Sequence, residues 1–299
     1  MRVLLVYYTG TYNTRWLVGR VGERFTAEGH EVTAVEITSK TPPVATEGFD
    51  LIGFSYPIYG FNAPRPFESY VKKLSFRRGQ KFFIFKNSGE TFAMNNASSR
   101  LLLRRMRGAG AEFLGEYHFV MPYNIHFRFE DDFVREILDY DRKLIEVMLH
   151  NLKKGVVRRI ESRPLYDLGA FFVGIQKIGG NVNSFFYRVD ADKCTLCGKC
   201  ARECPHENIT LKDGRVRFAH HCDMCMRCSF FCPRDAIHIG FLEGWRVNGA
   251  YDLDALSAMG PPSVPYITEG SEGFYRCFIK HFAEIDSQYE EIEKEKAHR

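Results

Sequence analysis

Eight of the nine cysteines fall into two copies of one pattern: Cys194, Cys197, Cys200 and Cys204-Pro205, then Cys222, Cys225, Cys228 and Cys232-Pro233. A constant offset of 28 residues separates the copies, and Ile209 and Ile237 hold matching places after the Cys-Pro pairs, which marks an internal duplication. A cube-shaped [4Fe–4S] cluster needs one thiolate per iron. Three cysteines two residues apart wrap one cluster, and the fourth, followed by proline, reaches its neighbour. This assigns Cys194, Cys197, Cys200 and Cys232 to one cluster, and Cys222, Cys225, Cys228 and Cys204 to the other. Zinc favours two Cys-x-x-Cys pairs per tetrahedral site and has no use for a third close cysteine or the trailing Cys-Pro. Phe186, Phe230, Phe231, Ile209 and Ile237 are expected to form an apolar shell that excludes water and tunes potential. The same residues serve equally as ordinary core.

This unit needs only residues 189–240, so with 299 residues and 45% hydrophobic content a larger domain precedes it. There, apolar runs predict strands at Val3–Tyr7, Glu31–Ile37, Leu51–Ser55, Lys81–Phe85 and Glu112–Val120. Between them, helical spacing links Leu17, Val18, Val21 and Phe25 up to Gly29, then Phe67, Tyr70, Val71 and Leu74. A basic helix is expected over Ala97–Arg107 and a long one over Asp132–Lys154, capped by Gly155. Such alternation implies an α/β domain, a parallel sheet wrapped on both faces, over residues 1–155. Residues 156–188 read as a packed connector rather than a tether, because Phe171, Phe172 and Ile175 stand among its glycines. Residues 241–299 form an extension ending in an amphipathic helix with a charged, frayed last turn. Cys277 lies there beside Phe274, Phe278 and Phe282 and reads as a core thiol.

In wound parallel sheets, ligands bind at the carboxyl ends of the strands. The loop after the first strand, Thr9-Gly10-Thr11-Tyr12-Asn13-Thr14, offers hydroxyls and helix-start amides as a phosphate cradle without any Lys or Arg, or else merely caps a helix. The loop from Tyr56 to Pro64 places Tyr59 to lie on a flat ring and Gly60 to let a peptide turn over. Asn87-Ser88-Gly89-Glu90-Thr91 supplies polar groups for a ring edge.

These three loops in order make the first half resemble a flavodoxin, and the whole chain resembles the fused flavodoxin–ferredoxin proteins of anaerobic bacteria and archaea. The resemblance covers about residues 1–155 and 189–240. It implies a flavodoxin-like doubly wound sheet with strand order 2-1-3-4-5 and noncovalent FMN, followed by a small α+β bacterial-type ferredoxin domain with two [4Fe–4S] clusters. By position, Thr9, Gly10, Thr11, Asn13 and Thr14 match the phosphate loop. Pro57, Tyr59, Gly60, Phe61 and Asn62 match the first flavin loop, and Asn87, Ser88, Gly89 and Glu90 the second. Where free flavodoxins stack an aromatic in that second loop, this chain has Glu90 and Thr91 before Phe92.

A formal charge of +4 is cancelled by two oxidised clusters with their thiolates, each carrying about −2, so nucleic-acid binding gains no support. Basic groups at Arg104, Arg105 and Arg107, and at Lys153, Lys154, Arg158 and Arg159, read as solvated faces or as docking patches for an acidic protein. No run resembles a signal peptide or membrane span, and metal-ligating cysteines argue for a reducing compartment, so a cytoplasmic location is expected. His220 and His221 adjoin Cys222 but find every cluster position already filled by cysteine, and read as surface residues or donors to sulfur.

The expected function is electron transfer between FMN and two [4Fe–4S] clusters in anaerobic metabolism, with redox proteins as partners. The alternative is a flavin-dependent reductase of an organic substrate, fed by the clusters. It would use Tyr123 and His126, which follow the fifth strand at the same sheet edge, as proton donors; the plain reading of His126 is a loop residue. A scaffold with structural clusters would leave the flavin loops unexplained. No Gly-x-Gly-x-x-Gly follows a strand, which disfavours direct nicotinamide oxidation.

Overall fold

The computed structural model describes residues 1–174 and 176–298; Ile175, assigned above to the connector, lies outside the described residues. The first half is a five-stranded parallel sheet in the order β2-β1-β3-β4-β5. Its elements run β1 (Arg2–Tyr7), α1 (Asn13–Ala27), β2 (Glu31–Glu36), β3 (Leu51–Ser55), α2 (Arg65–Val71), β4 (Lys81–Ser88), α3 (Arg100–Gly108), β5 (Glu112–Val120) and α4 (Asp131–Lys154). β3 is buried along its whole length and β1 at all but its first residue, as continuous apolar strands covered on both faces must be. Leu17, Val21 and Phe25 of α1 join Leu144, Ile145 and Met148 of α4 on one face. Phe67 and Tyr70 of α2 join Leu102 and Met106 of α3 on the other. Gly29 at φ 81° and Gly155 at φ 70° stop α1 and α4 in the left-handed region, as expected.

Two elements differ from expectation. β4 continues to Ser88, because its polar end, Lys86-Asn87-Ser88, is buried and internally bonded, with Lys86 Nζ 2.6 Å from Glu116. The basic helix is preceded by a 3₁₀ segment, Ala93–Ser99, whose buried Asn95 and Ser98 pack behind that strand end. The two basic clusters are not wholly solvated: Arg105 of α3 donates to the carbonyls of Lys72 and Leu74, and Arg158, after α4, lies over the Tyr117 ring.

The connector folds as α5 (Pro164–Val173) and α6 (Gln176–Ser184). Phe171 and Phe172 do not supply its packing, being 65% and 60% exposed; buried Ala170 does, with its carbonyl accepting from Asn62 Nδ2 at 2.8 Å. β6 (Tyr187–Val189) then opens the cysteine-rich unit, followed by α7 (Lys199–Arg202), the hairpin β7 (Ile209–Lys212) and β8 (Arg215–Phe218), α8 (Arg227–Phe230) and β9 (Ile237–Ile239). β6 pairs antiparallel with β9. The duplication is written in the backbone. Leu196 and Met224, Gly198 and Met226, and Glu207 and Asp235 all have positive φ at matching places.

The extension adds α9 (Leu253–Ala258) and α10 (Arg276–Ala297), which lies along α4 with Phe282 stacked on Tyr140 at 3.9 Å. Its last turn is helical to Ala297 and carries the exposed pairs Lys154–Glu295 at 3.1 Å and Lys296–Glu293 at 2.9 Å. Cys277 is half-buried and its carbonyl accepts from Thr91.

Candidate functional site

The thiols of Cys200, Cys222, Cys225 and Cys228 each feel a cysteine of the other motif. Burial pushes the Cys200 thiol up to about 11, and the like-charge neighbours it feels are Cys194, Cys232 and Cys197. Cys222 is pushed up to about 12, again by burial and then by Cys225, with Cys204 also among its neighbours. Cys225 and Cys228 likewise feel Cys204. Cys200 thus has Cys232 of the other motif among its neighbours, and Cys222, Cys225 and Cys228 have Cys204, while Cys228 also feels Cys200, so the two groups adjoin. Four buried thiols can ionise together only with cations among them. Each Cys-Pro turn also returns a donor to its own sulfur: Asn208 N–H to Cys204 Sγ and Ala236 N–H to Cys232 Sγ, both at 3.3 Å.

Among the described residues no three Cys, His, Asp or Glu side chains close on a single metal ion. Phe230, Ile209 and Ile237 are buried as the expected shell, whereas Phe186 is exposed. His220 stacks on Phe185 and His221 bonds to Asn208 and His206, so neither reaches a cysteine sulfur in these contacts.

At the carboxyl edge of the sheet lies a cleft of about 590 Å³. It gathers Thr9, Gly10, Thr11, Asn13 and Thr14 after β1, and Pro57, Tyr59, Gly60 and Phe61 after β3. Asn87, Ser88, Gly89 and Glu90 come from the end of β4, and Tyr123 and His126 follow β5. Asn62 does not line it. Its amide instead donates to the Gly60 carbonyl at 2.8 Å, fixing the turn of that loop. Thr14 Oγ1 donates to Asn87 Oδ1 at 2.8 Å, and the Ser88 hydroxyl bonds to His118 Nε2 and the Glu90 carbonyl, so these side chains brace the loops against each other.

The cleft fits a phosphate-bearing planar group. Helix α1 starts with no side-chain cap, leaving first-turn N–H groups for an anion. Thr9 Oγ1 and the Tyr59 hydroxyl are buried without a hydrogen-bond partner. Gly89 packs so closely on the Tyr123 ring that a Cβ would overlap it, and Tyr123 donates to Glu90 Oε2 at 2.6 Å. Burial and the Glu90 carboxylate raise the Tyr123 phenol well above its ordinary range. Burial lowers His126 below its usual value, partly offset by Glu90, and its ring leans on Trp245 at 4.9 Å.

The sequence reading missed the residues that close the cleft from afar: Asp223, Met224 and Met226 of the second cysteine motif, and Phe241, Leu242 and Trp245 of the extension. It also missed Arg227. This residue is only 6% exposed and donates to the carbonyls of Gly10 at 2.6 Å, Thr9 at 2.7 Å and Glu203 at 3.0 Å. No local signal distinguishes it from a surface arginine.

The chain therefore joins a flavodoxin-like α/β domain to a 4Fe-4S ferredoxin domain. Residues 187–210 match the family model of the 4Fe-4S binding domain, which spans the first cysteine motif. No curated protein matches the chain. Among solved structures, a Streptococcus pneumoniae TIGR4 flavodoxin is 18% identical, with TM-score 0.38, over 52% of this chain and 99% of its own. A short-chain flavodoxin associated with a non-canonical PDU bacterial microcompartment is 18% identical, with TM-score 0.40 and the same coverage. The Desulfovibrio gigas rubredoxin oxygen:oxidoreductase is 13% identical, with TM-score 0.34, over 52% of this chain and 37% of its own. At these scores the flavodoxin-like architecture is defined by this chain's own strand order. No helix among the described residues is long and apolar enough to cross a membrane.

Proposed function

We propose that this chain is an electron-transfer protein in which FMN, held in the cleft, exchanges electrons with two [4Fe–4S] clusters held by the two cysteine cages. The observation that carries the reading is a shared wall. A Cβ added at Gly10 of the cleft would lie 2.8 Å from the carbonyl oxygen of Cys225 and would overlap the Tyr59 hydroxyl. FMN passes electrons singly or in pairs whereas each cluster takes one, so joining them couples one- and two-electron carriers.

The chain's own residues divide the work. Thr9, Gly10, Thr11, Asn13 and Thr14 would hold the phosphate, Tyr59 and Tyr123 would bound the ring, and Trp245 and Phe241 would exclude water. The cage of Cys222, Cys225, Cys228 and Cys204 would adjoin the cleft through buried Cys225, which packs against Gly10. The cage of Cys194, Cys197, Cys200 and Cys232 lies farther out, with Cys197 exposed, and is the point of exchange with a redox partner. Residues 1–155 thus form the flavin domain, 156–188 the connector, 189–240 the cluster domain, and 241–299 a strap that closes the cleft with Trp245.

The reductase alternative is disfavoured by the two groups it needs. Proton donors work best with a pKa near the operating pH, yet burial moves Tyr123 up and His126 down, away from it. His126→Ala tests the choice: stopped-flow exchange between flavin and clusters is expected to stay within about threefold of wild type. A loss of roughly 10²–10⁴-fold in turnover of an organic acceptor, with cofactor reduction intact, would establish the reductase instead.

A further inference from the structure

The phosphate loop carries no Lys or Arg of its own, and the structure assigns its missing cation to the other domain. We propose that Arg227, from the second cysteine motif, is the positioning residue that shapes the anion site of the cleft and makes it select a phosphorylated flavin over its unphosphorylated form. This rests on the cleft binding FMN.

Arg227 Nη2 donates to the Thr9 carbonyl and Nε to the Gly10 carbonyl, so one planar guanidinium clamps two successive peptides. Both peptides are trans, since the described chain has no cis bond, and a trans peptide points its N–H opposite its C=O. With both carbonyls turned to Arg227, the N–H groups of Gly10 and Thr11 face the other way. Gly10 and Thr11 line the cleft, whereas Arg227 does not; it lines the cavity of the outer cysteine cage. The clamp therefore aims two backbone donors at the cleft, beside the unpartnered, buried Thr9 hydroxyl. The charge acts through the same peptides, polarising them toward an anion. Arg227 is held for this role: its third branch donates to the Glu203 carbonyl, Glu36 lies 3.5 Å away, and its guanidinium sits over the Tyr12 ring at 4.4 Å.

The test uses the full-length, cluster-loaded chain freed of flavin and titrated separately with FMN and with riboflavin, iron per chain being measured on each sample. In Arg227→Gln, FMN affinity is expected to fall about 10–100-fold, the scale of a lost charge-assisted contact, while riboflavin affinity moves far less, so discrimination collapses. Arg227→Lys, with one point donor in place of a fork, is expected to restore part of it. Equal weakening of both flavins, unchanged discrimination, or loss of iron in Arg227→Gln would overturn the assignment, because the arginine would then serve folding alone. A wild-type chain that binds no FMN would overturn the flavin reading itself, and this inference with it.

Discussion

Alanine at Gly60 perturbs the turn proposed to face the flavin ring. Tyr59–Asn62 closes with Tyr59 N–H to Asn62 O at 2.9 Å and Asn62 N–H to Tyr59 O at 3.1 Å. The central residues have φ 49° at Gly60 and 62° at Phe61, both positive, as in a type I′ turn. Turning over the Gly60–Phe61 peptide gives type II′, in which only the first central residue stays at positive φ. Phe61 gains by that change, because a bulky side chain at positive φ is strained by about 1–3 kcal/mol. The Gly60 carbonyl would leave Asn62 Nδ2, its present donor, and become free to accept from a protonated ring nitrogen. Only glycine enters the II′ conformation at position 60 without strain, so alanine locks the turn as it stands. If the turnover accompanies addition of the first electron, the lock costs about 1–3 kcal/mol. At 59 mV per 1.4 kcal/mol for a one-electron couple, the first reduction step of the bound flavin should fall by about 40–130 mV. Anaerobic potentiometric titration of wild type and Gly60→Ala measures it directly. An unmoved first step in a variant that still binds FMN would refute the peptide turnover.

Cys204→Ala should damage the cluster held by Cys222, Cys225 and Cys228, and spectroscopic loss at the Cys194 cluster alone would show the crossing to be wrong. Thr14→Val should weaken FMN binding by about 1–2 kcal/mol, by cutting the link from the phosphate loop to Asn87; unaltered affinity in a fluorescence titration would leave Thr14 as a core residue. Burial, helped by the nearby Arg158 charge, lowers His281 to about 4 in the folded chain, and its ring faces His118, which burial also keeps neutral. The unfolded chain, with an ordinary imidazole, binds the proton more readily, so this stability is present above pH about 6.5 and is lost as pH falls toward about 4, by about 3 kcal/mol at most. Thermal unfolding from pH 7.5 to 5 should steepen accordingly, and His281→Leu should flatten the profile; an equal slope in both proteins would discount the histidine.

What was legible in the sequence was local. The cysteine spacing pointed to the 4Fe-4S domain that matches residues 187–210, because wrapping a cluster fixes both residue type and separation over a few residues. The three loops were found because each directly follows an apolar strand, and the strand order carries them to one edge. What escaped depends on contacts between distant segments. Arg227 meets Thr9 and Gly10, and Trp245 backs His126, across separations that no periodicity encodes. Phe171 and Phe172 misled for the opposite reason: apolar residues in a helix argue for a packed face, yet here they are exposed. Asn62, matched to the same loop, turns its amide inward to the Gly60 and Ala170 carbonyls, a contact that sequence spacing does not encode.

In the proposed function, the cleft and the cysteine cages form one electron path. Stopped-flow reduction of the anaerobically purified chain by a one-electron donor, with flavin and cluster absorbance followed separately at several donor concentrations, tests it most directly. The shared wall at Gly10 and Cys225 predicts cluster bleaching that scales with donor concentration, followed by a flavin phase whose rate does not. Flavin reduction that itself scales with donor concentration, while the clusters stay oxidised, would contradict the account.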